Sequence, residues 1–416
     1  MEEYNMKSQI NIGVIGLGGR GYGLLHTILN IEGIVVKAVC DNYDDRQQRA
    51  VKFVEEKAGN TPLSTGNYKD ILAMDEVEAV IVSSSWADHI HIAIDAMKAG
   101  KYVGVEVGGA YSIDECWELI RTYEETGVPC MMLENCCYGR EELMVLNMVK
   151  KGLMGEVVHC EGGYRHDLRD EIAHGRENRH YRLINYMNRN CDNYPTHQLG
   201  PIAKILNVNR GNRMLSLVSM ASKARGLNEF IKKSEGEDYD LADYQFAQGD
   251  VVTTIIKCAH GETITLTLDT TLPRFYSRGF VVQGTKGMYQ EDNHSIFLDE
   301  LHGTEDEFSW KKNWNNVDEL RGEYDHPIWK NYNPDENAGH GGMDDLVQSA
   351  FFDSVRRKVN PPIDVYDMAA WMCITALSEH SISMGGAPVA IPDFTNGRWI
   401  NREPGHEGYF SLDNVD

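Results

Sequence analysis

The segment "INIGVIGLGGRGYGLLHTIL" at residues 10–29 constrains the fold more than any other part of the chain. It predicts a buried strand, a glycine-rich turn and the start of a helix, with Gly16, Gly18 and Gly21 spaced as G-x-G-x-x-G. The first glycine permits a tight turn, the second lets the backbone approach a pyrophosphate, and the third lets helix and strand pack closely. A second predicted strand ends in Asp41, whose carboxylate can accept hydrogen bonds from an adenosine ribose and disfavours a 2′-phosphate. The segment therefore predicts a dinucleotide-binding domain that uses NAD.

Predicted strands and helices continue to alternate up to about residue 150. "VEAVIVSSS", "YVGVEV" and "VPCMMLEN" are apolar enough to be buried parallel strands, and the helix between the last two begins with a capping box. This alternation predicts a doubly wound Rossmann domain over residues 1–150; the alternative is a flavodoxin-like domain with an incidental glycine-rich turn. Because ligands bind at the carboxyl ends of such strands, the residues there are candidates for the cofactor site. They are Gly16–Gly21, Asp41, Ser83–Trp86, Glu106 and Asn135.

From Gly155 onward the sequence alternates with a period of two. Segments such as "DVVTTIIKCA" and "ETITLTLDTT" carry β-branched residues on both faces. We therefore predict an α/β protein with a second domain over residues 151–416, an α+β substrate-binding and oligomerisation domain with a large open antiparallel sheet. Such an open sheet needs a cover, which predicts a homodimer or homotetramer.

The charge and cysteine usage disfavour several classes of partner and site. The 63 acidic residues outnumber the 40 Lys and Arg, so the formal net charge is −23, whereas nucleic acids and anionic membranes bind basic patches. The nine cysteines contain no Cys-x-x-Cys pair, which is typical of reduced thiols in a cytosol. Without a leader or a membrane-length apolar run, we expect a cytoplasmic protein. We expect no metal site, because His89 and His91 face different directions on a helix.

The stretch "NRNCDNYPTHQLGPIAKILN" at residues 188–207 places a tyrosine and a histidine on either side of Pro195. An apolar segment with helical spacing follows. Imidazole titrates near neutrality, and a helix N-terminus keeps a nearby imidazole neutral, so His197 is the best candidate for a general base, with Tyr194 beside it. The alternative is an ordinary, hydrogen-bonded histidine near a helix start.

Other candidates for acid–base chemistry lie on a predicted strand and in a loop. Tyr164 and His166 alternate along one strand and therefore share a face, although a packing pair is the alternative. Tyr276 follows Pro273 in a predicted loop and is a further candidate; the alternative is a loop aromatic without a catalytic role. Arg182 could stabilise an enolate-like oxygen, or belong to a solvated basic face.

The order of the two domains resembles the glucose–fructose oxidoreductase/inositol dehydrogenase (Gfo/Idh/MocA) superfamily. "MKAGKYVGVEV" is similar to its helix–Gly-Lys–strand element. Dehydrogenases of that superfamily usually end this strand in Glu-Lys-Pro, where this chain has Glu106, Val107 and Gly108. They commonly also carry an Asp four residues before the catalytic histidine, where this chain has Asn193. A sugar or inositol dehydrogenase is therefore the alternative prediction.

A narrower resemblance is to glycoside hydrolase family 109, NAD-dependent glycosidases described as α-N-acetylgalactosaminidases. It rests on "LENCCYGREELMVLNMVKKGLMGEVVHCEGGYRHDLR", "NYPTHQLGPIAKILNVNRG", "LPRFYSRGFVVQGTKG" and "HGGMDDLVQS". Together with the strand-end positions, it implies a cofactor site of Gly16, Gly18, Gly19, Arg20, Gly21, Asp41, Ser84, Trp86, His89, Glu106 and Asn135. It implies a sugar site of Tyr164, Arg182, Tyr194, Pro195, Thr196, His197 and Tyr276.

The reaction implied by this resemblance is hydrolysis without net redox change. The sugar loses hydride from C3 to NAD, a base then removes the acidified C2 proton, the group at C1 departs, water adds at C1, and the hydride returns. This needs a base for the C3 hydroxyl, a base for C2–H and help for the leaving group. The catalytic candidates are His197, Tyr194, Tyr164, His166 and Tyr276. A glycosidase with paired carboxylates and a non-catalytic NAD-binding regulator are further alternatives.

Overall fold

Six short strands from the first third of the chain form a parallel sheet, and all but one edge strand are mostly buried. The computed structural model describes residues 9–303, 310–403, 407–413 and 415. In chain order the strands are Ile10–Ile15 (β1), Ile34–Cys40 (β2), Leu63–Thr65 (β3), Ala79–Val82 (β4), Tyr102–Val105 (β5) and Cys130–Met132 (β6). Their spatial order is β3-β2-β1-β4-β5-β6. The order reverses between β1 and β4, where a doubly wound sheet opens a crevice for a ligand. The predicted Rossmann topology is confirmed.

Helices connect these strands, as the alternating pattern predicts. They are Gly19–Ile28 (α1), Asp44–Ala58 (α2), Tyr68–Leu72 (α3), Trp86–Lys98 (α4), Ile113–Thr126 (α5) and Arg140–Lys150 (α6), with a 3-10 helix at Asn135–Tyr138. The predicted capping box starts α5: the Ser112 hydroxyl accepts from the Glu115 N–H, and the Glu115 carboxylate accepts from the Ser112 N–H. Gly127, with φ of 66°, ends that helix in the left-handed region, which favours glycine.

The second sheet has eight strands and is mixed. They are Val157–Arg165 (β7), Met214–Ala221 (β8), Val251–Cys258 (β9), Thr263–Asp269 (β10), Val281–Gly284 (β11), Gly287–Gln290 (β12), Ser295–Leu298 (β13) and Val389–Ala390 (β14). The spatial order is β13-β12-β11-β7-β10-β9-β8-β14. Strands β7 and β10 run parallel and the other pairs run antiparallel. The expectation of a purely antiparallel sheet is corrected at this one pair, because the long connection between β7 and β10 allows a crossover.

Nine helices belong to the described residues after β7. They are Arg169–Ala173 (α7), Arg182–Asn188 (α8), Thr196–Ile205 (α9), Gly226–Ser234 (α10), Asp299–His302 (α11), Val317–Tyr324 (α12), Pro327–Asn331 (α13), Met343–Arg357 (α14) and Val365–Ser383 (α15), with short 3-10 helices at Trp310–Asn313, His340–Gly342 and Arg398–Ile400. No helix in these ranges is both long and apolar enough to cross a membrane.

Two of these helices join the sheets. Helix α15 packs against β8 of the second sheet and against α5 and β6 of the first, and it is buried around most of its circumference because both neighbours are apolar. Helix α9 packs on β7, on α6 and on the 3-10 helix that follows β6. The start of α9 is therefore held at the carboxyl edge of the first sheet. The boundary predicted at residue 150 stays a prediction.

Candidate active site

A cleft of about 1000 Å³ runs along the carboxyl edge of the first sheet and is walled on its other side by β7, α8 and α9. This volume is large enough for a dinucleotide together with a small substrate. The predicted cofactor residues that line the cleft are Gly16, Gly18, Gly19, Arg20, Asp41, Ser84, His89, Glu106 and Asn135. The predicted sugar residues that line it are Tyr164, Arg182, Tyr194 and His197.

The remaining predicted residues lie behind this lining or at its rim. Gly21 and Trp86 support the cofactor side, while Pro195 and Thr196 are buried at the start of α9. His166 and Tyr276 contact Tyr164 from the side of the second sheet. The structure therefore brings all of the predicted positions to one cleft or to its immediate support.

The glycine-rich turn has the shape that a pyrophosphate requires. Gly16 has φ of +92°, and a Cβ there would lie 2.5 Å from the Ser83 carbonyl carbon. A Cβ on Gly21 would overlap the Gly16 carbonyl oxygen. Above the turn, by contrast, Gly19 has no atom within 4 Å of an added Cβ. The first and third glycines thus close the turn against β4, and the middle of the turn leaves open space into which a dinucleotide phosphate fits.

Asp41 is fixed at the end of β2 by the backbone around it. Its Oδ2 accepts the Leu17 N–H at 2.7 Å, and its Oδ1 accepts the Tyr43 N–H at 3.0 Å. The Arg46 guanidinium lies 3.8 Å from Oδ2. These contacts hold a carboxylate beside the glycine-rich turn, where an adenosine ribose of a bound dinucleotide is expected.

The first turn of α4 places two buried ring nitrogens beside the cleft. His89 is buried, and burial lowers its pKa to about 4, so the ring is neutral and its Nε2–H donates to the Ser84 carbonyl at 3.1 Å. The buried Trp86 Nε1 has no hydrogen-bond partner among the described residues. A Cβ on Gly108 would lie 2.6 Å from the Trp86 ring, so the strand end after β5 approaches the indole closely. An indole N–H left unpaired here fits a site whose ligand supplies the acceptor.

An ion-pair cluster joins the glycine-rich turn to the start of α14. Arg20 donates to both carboxylate oxygens of Asp344, at 2.7 and 2.9 Å, and to Glu106 at 2.9 Å. The Asn135 amide donates to Asp344 at 2.8 Å, and the His340 Nδ1 lies 2.7 Å from the same carboxylate. Burial opposes this arrangement, but His340 and Arg20 hold the pKa of Asp344 well below its ordinary value. Asp344 was not predicted; the run "HGGMDD" was the signal in the sequence, where His340 by itself is more simply interpreted as a structural residue than as a catalytic one.

The sugar side of the cleft is a cluster of aromatic rings around one guanidinium. Ring centroids of Tyr164 and Tyr194 lie 4.4 Å apart, and those of Tyr194 and His197 lie 4.7 Å apart. The ring centroid of Trp86, the first residue of α4, lies 5.6 Å from that of Tyr194. The Arg182 Cζ lies 5.0 Å from the Tyr194 ring centroid and 4.9 Å from that of Trp86. The buried Arg182 Nη1 has no hydrogen-bond partner among the described residues, so a polar ligand oxygen fits beside it.

Tyr164 and His166 form a hydrogen-bonded pair at the end of β7. The Tyr164 hydroxyl lies 2.9 Å from the His166 Nδ1. Burial raises the pKa of Tyr164 to about 12, and burial together with Arg182 lowers the pKa of His166. The phenol is thus the proton donor and the neutral imidazole the acceptor. The Tyr276 ring packs on His166 with centroids 5.1 Å apart and is 50% exposed, which puts it at the outer rim.

His197 is oriented by a carboxylate that the sequence analysis missed. Its Nδ1 lies 2.8 Å from Oε1 of Glu134, which is fully buried after β6. Burial raises the pKa of Glu134, but the His197 imidazole outweighs it and holds the value below its ordinary range. Glu134 immediately precedes the predicted Asn135 at the same strand end, which was the available signal. This contact leaves the other ring nitrogen of His197 for the cleft.

The potential ligand atoms of Glu134, Cys136 and His197 lie within 4.8 Å of one another. However, the His197 Nδ1 is already paired with Glu134, and the Arg278 guanidinium donates to the Cys136 sulfur at 3.2 Å. A positive charge in contact with a potential ligand works against binding a metal cation.

The segment 174–181, between α7 and α8, crosses the adenosine end of the cleft; we call it the strap. Arg179 forms a bidentate ion pair with Asp45 of α2, at 2.8 and 2.9 Å. Arg46 donates to the Asn178 carbonyl at 3.2 Å. The strap was not predicted, because its partners are more than 130 residues away in the chain.

The family comparisons divide the chain at the same place as the two sheets. Residues 10–134 match the oxidoreductase family with the NAD-binding Rossmann fold. Residues 138–401 match the C-terminal domain of glycosyl hydrolase 109. Together these matches confirm the predicted family and NAD as the predicted cofactor.

Named relatives match over nearly their whole length. An α-N-acetylgalactosaminidase of Tannerella forsythia is 40% identical, and the alignment covers 95% of this chain and 88% of that protein. A glycosyl hydrolase family 109 protein of Parabacteroides distasonis is 38% identical, with 95% and 89% covered.

Two solved dehydrogenases have the same fold. A levoglucosan dehydrogenase in complex with NADH and levoglucosan aligns with a TM-score of 0.69 at 16% identity, covering 93% of this chain and 100% of that one. Apo scyllo-inositol dehydrogenase from Lactobacillus casei aligns with a TM-score of 0.65 at 12% identity, covering 92% and 99%. At such low identity these neighbours establish the fold alone. The family match and the relatives go further: the chain belongs to glycosyl hydrolase family 109 and is an NAD-dependent glycosidase.

Proposed function

We propose that the protein hydrolyses α-linked N-acetylgalactosamine by transient oxidation at C3, with elimination across C1–C2, addition of water and return of the hydride. One observation carries this proposal: two separate hydrogen-bonded pairs that can transfer protons lie in the same aromatic cluster beside the cofactor cleft. They are Glu134–His197 and Tyr164–His166. The sugar class is supported by the name of the Tannerella forsythia relative. The route requires one base for an oxygen-bound proton and another for a carbon-bound proton.

NAD, when bound, supplies a reversible hydride acceptor for the sugar C3. The residues that would hold it are those of the glycine-rich turn, Asp41 for a ribose, and the strand-end residues Ser84, His89, Glu106 and Asn135. The open space above Gly19 and the unpaired Trp86 Nε1 support this assignment.

His197 is proposed as the base for the C3 hydroxyl. Glu134 accepts the Nδ1–H and thereby directs the lone pair of Nε2 toward the cleft. When His197 takes the hydroxyl proton, the Glu134 carboxylate stabilises the resulting imidazolium, because a buried negative charge 2.8 Å away interacts strongly with it. The neighbouring Tyr194 contacts the sugar and excludes water.

Tyr164 and His166 are proposed as the base for the C2 proton. The Tyr164 phenol carries a proton at rest, so its oxygen can take the C2 proton only as its own proton passes to the neutral His166 Nδ1, 2.9 Å away. Arg182 stabilises the negative charge that develops on the C3 oxygen as the C2–H bond breaks. Tyr276, at the exposed rim, is assigned to the oxygen of the departing group, to which its phenol can donate.

The proposal is tested with chromogenic α- and β-glycosides of several sugars, following chromophore release and absorbance in the NADH band together. We expect release from the α-N-acetylgalactosaminide without accumulation of NADH, and deuterium at C2 of the product when the reaction runs in deuterated water. Accumulation of NADH without release would indicate a dehydrogenase. Release without deuterium at C2 would indicate direct displacement by paired carboxylates.

We further propose a homodimer or homotetramer built through the outer face of the second sheet. This face carries Met220, 67% exposed, and Ile255, 45% exposed, among threonines of β9 and β10. An exposed apolar group on a broad open sheet is typical of an interface. Light scattering at micromolar concentration should give a mass of two or four times 47 kDa. The substitution Ile255→Lys should shift this mass toward that of the monomer. A monomeric wild-type protein would contradict the proposal.

The proposed location is the cytoplasm. All nine cysteines are free and buried, as expected in a reducing compartment. Fractionation of cells that produce the native gene product checks this, and recovery from the envelope or the medium would contradict it.

A further inference from the structure

The turn that precedes α14 holds four consecutive residues in the left-handed region. Their φ values are 65° at Gly339, 42° at His340, 66° at Gly341 and 106° at Gly342. Three of them are glycines, which tolerate this conformation, but His340 is strained there by its side chain. Strained backbone of this kind persists where the surrounding structure imposes it and is concentrated at functional sites. The position of the His340 side chain is therefore the feature to explain.

His340 is held against the glycine-rich turn by one of its two ring nitrogens. Its Nδ1 lies 2.7 Å from the Asp344 carboxylate, which accepts the Nδ1–H. Arg20 lies 3.3 Å from the same nitrogen and donates to the same carboxylate. Among the described residues the Nε2 of His340 has no hydrogen-bond partner. The side chain is 60% exposed and lines the cleft together with Gly18 and Gly19.

The charged side chains beside the glycine-rich turn do not neutralise a bound pyrophosphate, so a further hydrogen-bond donor would stabilise it. Arg20 contributes one positive charge, while Glu106 and Asp344 contribute two negative charges, so these three side chains sum to −1. A bound pyrophosphate brings two more negative charges close to them. The backbone N–H groups at the start of α1 offset part of this repulsion. Two described side chains beside them can still donate: Arg46, whose Nη1 would lie 3.5 Å from a Cβ on Gly18, and His340, which lies next to Arg20.

We propose that His340 is a further NAD-binding residue: as an imidazolium, with a proton on each ring nitrogen, it donates its Nε2–H to a phosphate oxygen of the bound dinucleotide while its Nδ1–H stays on Asp344. The turn 339–342 then acts as a clasp that lies over the glycine-rich turn and slows release of the cofactor. This assignment rests on NAD binding and not on the reaction proposed above, so the two can fail separately.

The experiment compares three variants by the rate at which bound NAD exchanges for isotopically labelled NAD, with no sugar present. His340→Gly removes the ring and also relieves the left-handed strain, so weaker retention cannot be caused by a strained turn. We expect exchange to be about tenfold to a hundredfold faster, as for loss of one charge-assisted hydrogen bond. His340→Gln, which keeps an N–H donor, should fall between wild type and His340→Gly. His91→Ala, at an exposed histidine on α4 in the same cleft, is the matched control and should exchange like wild type.

Competition by fragments separates a phosphate contact from general damage. In His340→Gly the affinity for ADP-ribose, which carries both phosphates, should fall as much as that for NAD. The affinity for adenosine, which carries no phosphate and binds at Asp41, should stay within about twofold. Wild-type exchange in His340→Gly, or an equal loss for adenosine, would overturn the proposal. So would a variant that releases NAD only because it unfolds, detected by a melting temperature of the NAD-free protein far below that of NAD-free wild type.

Discussion

The two ends of the cleft recognise their ligands by different physical means. The cofactor end relies on backbone geometry, as at Gly16, and on side chains whose charges already have partners, as at Asp41 and Arg20. The sugar end relies on buried groups that are poised to change protonation, such as His197 on Glu134 and Tyr164 on His166. The first arrangement resists change during turnover and the second permits it. A glycosidase that recycles its cofactor needs both properties next to each other.

The substitution His197→Ala should have the largest effect on turnover, and it distinguishes the sugar end of the cleft from the cofactor end most clearly. Loss of a general base lowers turnover by about two to four orders of magnitude. The NAD content per chain should stay that of wild type, because His197 belongs to the sugar end. The measurements are kcat on the chromogenic substrate and NAD released by denaturation. Near wild-type turnover, or loss of NAD together with activity, would break the distinction drawn here.

Gly19→Ala probes the opposite end. An added Cβ meets no protein atom within 4 Å, so the melting temperature of the NAD-free protein should be unchanged. The methyl group would instead occupy space that the pyrophosphate needs, and we expect NAD affinity to fall about tenfold to a hundredfold by calorimetric titration.

The matched control is Gly16→Ala, where φ of +92° and the contact with Ser83 should destabilise the NAD-free protein as well. Equal NAD affinity in Gly19→Ala and wild type would show that no phosphate lies over the turn.

Asp344→Asn tests whether the charges of the cofactor end are paired in the folded state. Arg20 and His340 depress the pKa of Asp344 despite its burial, so its contribution to stability is present above the ordinary Asp value of about 4 and is lost as pH falls through the lower folded value. At pH 7 the variant should be less stable by about 2 kcal/mol. This difference should shrink as the pH falls below about 4, measured by urea unfolding.

Asp345→Asn is the control, for which we expect the stability difference to depend on pH in the opposite direction. Burial raises the pKa of Asp345, so the wild-type protein gains stability relative to that variant as the pH falls. If both variants gave the same pH dependence, the ion pairs around Asp344 would not account for it.

The strap should give the smallest effect. Arg179 and Asp45 are both solvent-exposed, and exposed ion pairs contribute little and are screened by salt. Asp45→Asn should speed the exchange of bound NAD by no more than about threefold, and 1 M salt should produce a similar change in wild type but none in the variant. A much larger change would mean that the strap, and not the residues at the glycine-rich turn, controls release.

The sequence revealed those parts of the site that depend on neighbours close in the chain. Gly16 and Asp41 follow single strands, and Tyr194 and His197 lie in one short run, so local patterns were enough. Glu134 was missed because its partner His197 is 63 residues away, and His340 because its role depends on Arg20, 320 residues earlier. The parallel pairing of β7 with β10 was missed for a related reason: alternation with a period of two is the same for both strand directions.

The strap and the turn at residues 339–342 are both made after the sheet over which they lie. During synthesis the six strands of that sheet, complete at Met132, leave the ribosome first, and domains tend to fold in the order in which they emerge. The nascent chain therefore presents an open dinucleotide site before the segments that cover it exist. A dinucleotide captured at that stage would be enclosed by the growth of the chain itself. The cellular supply of NAD would then matter chiefly while the protein is being made, and much less over its working life.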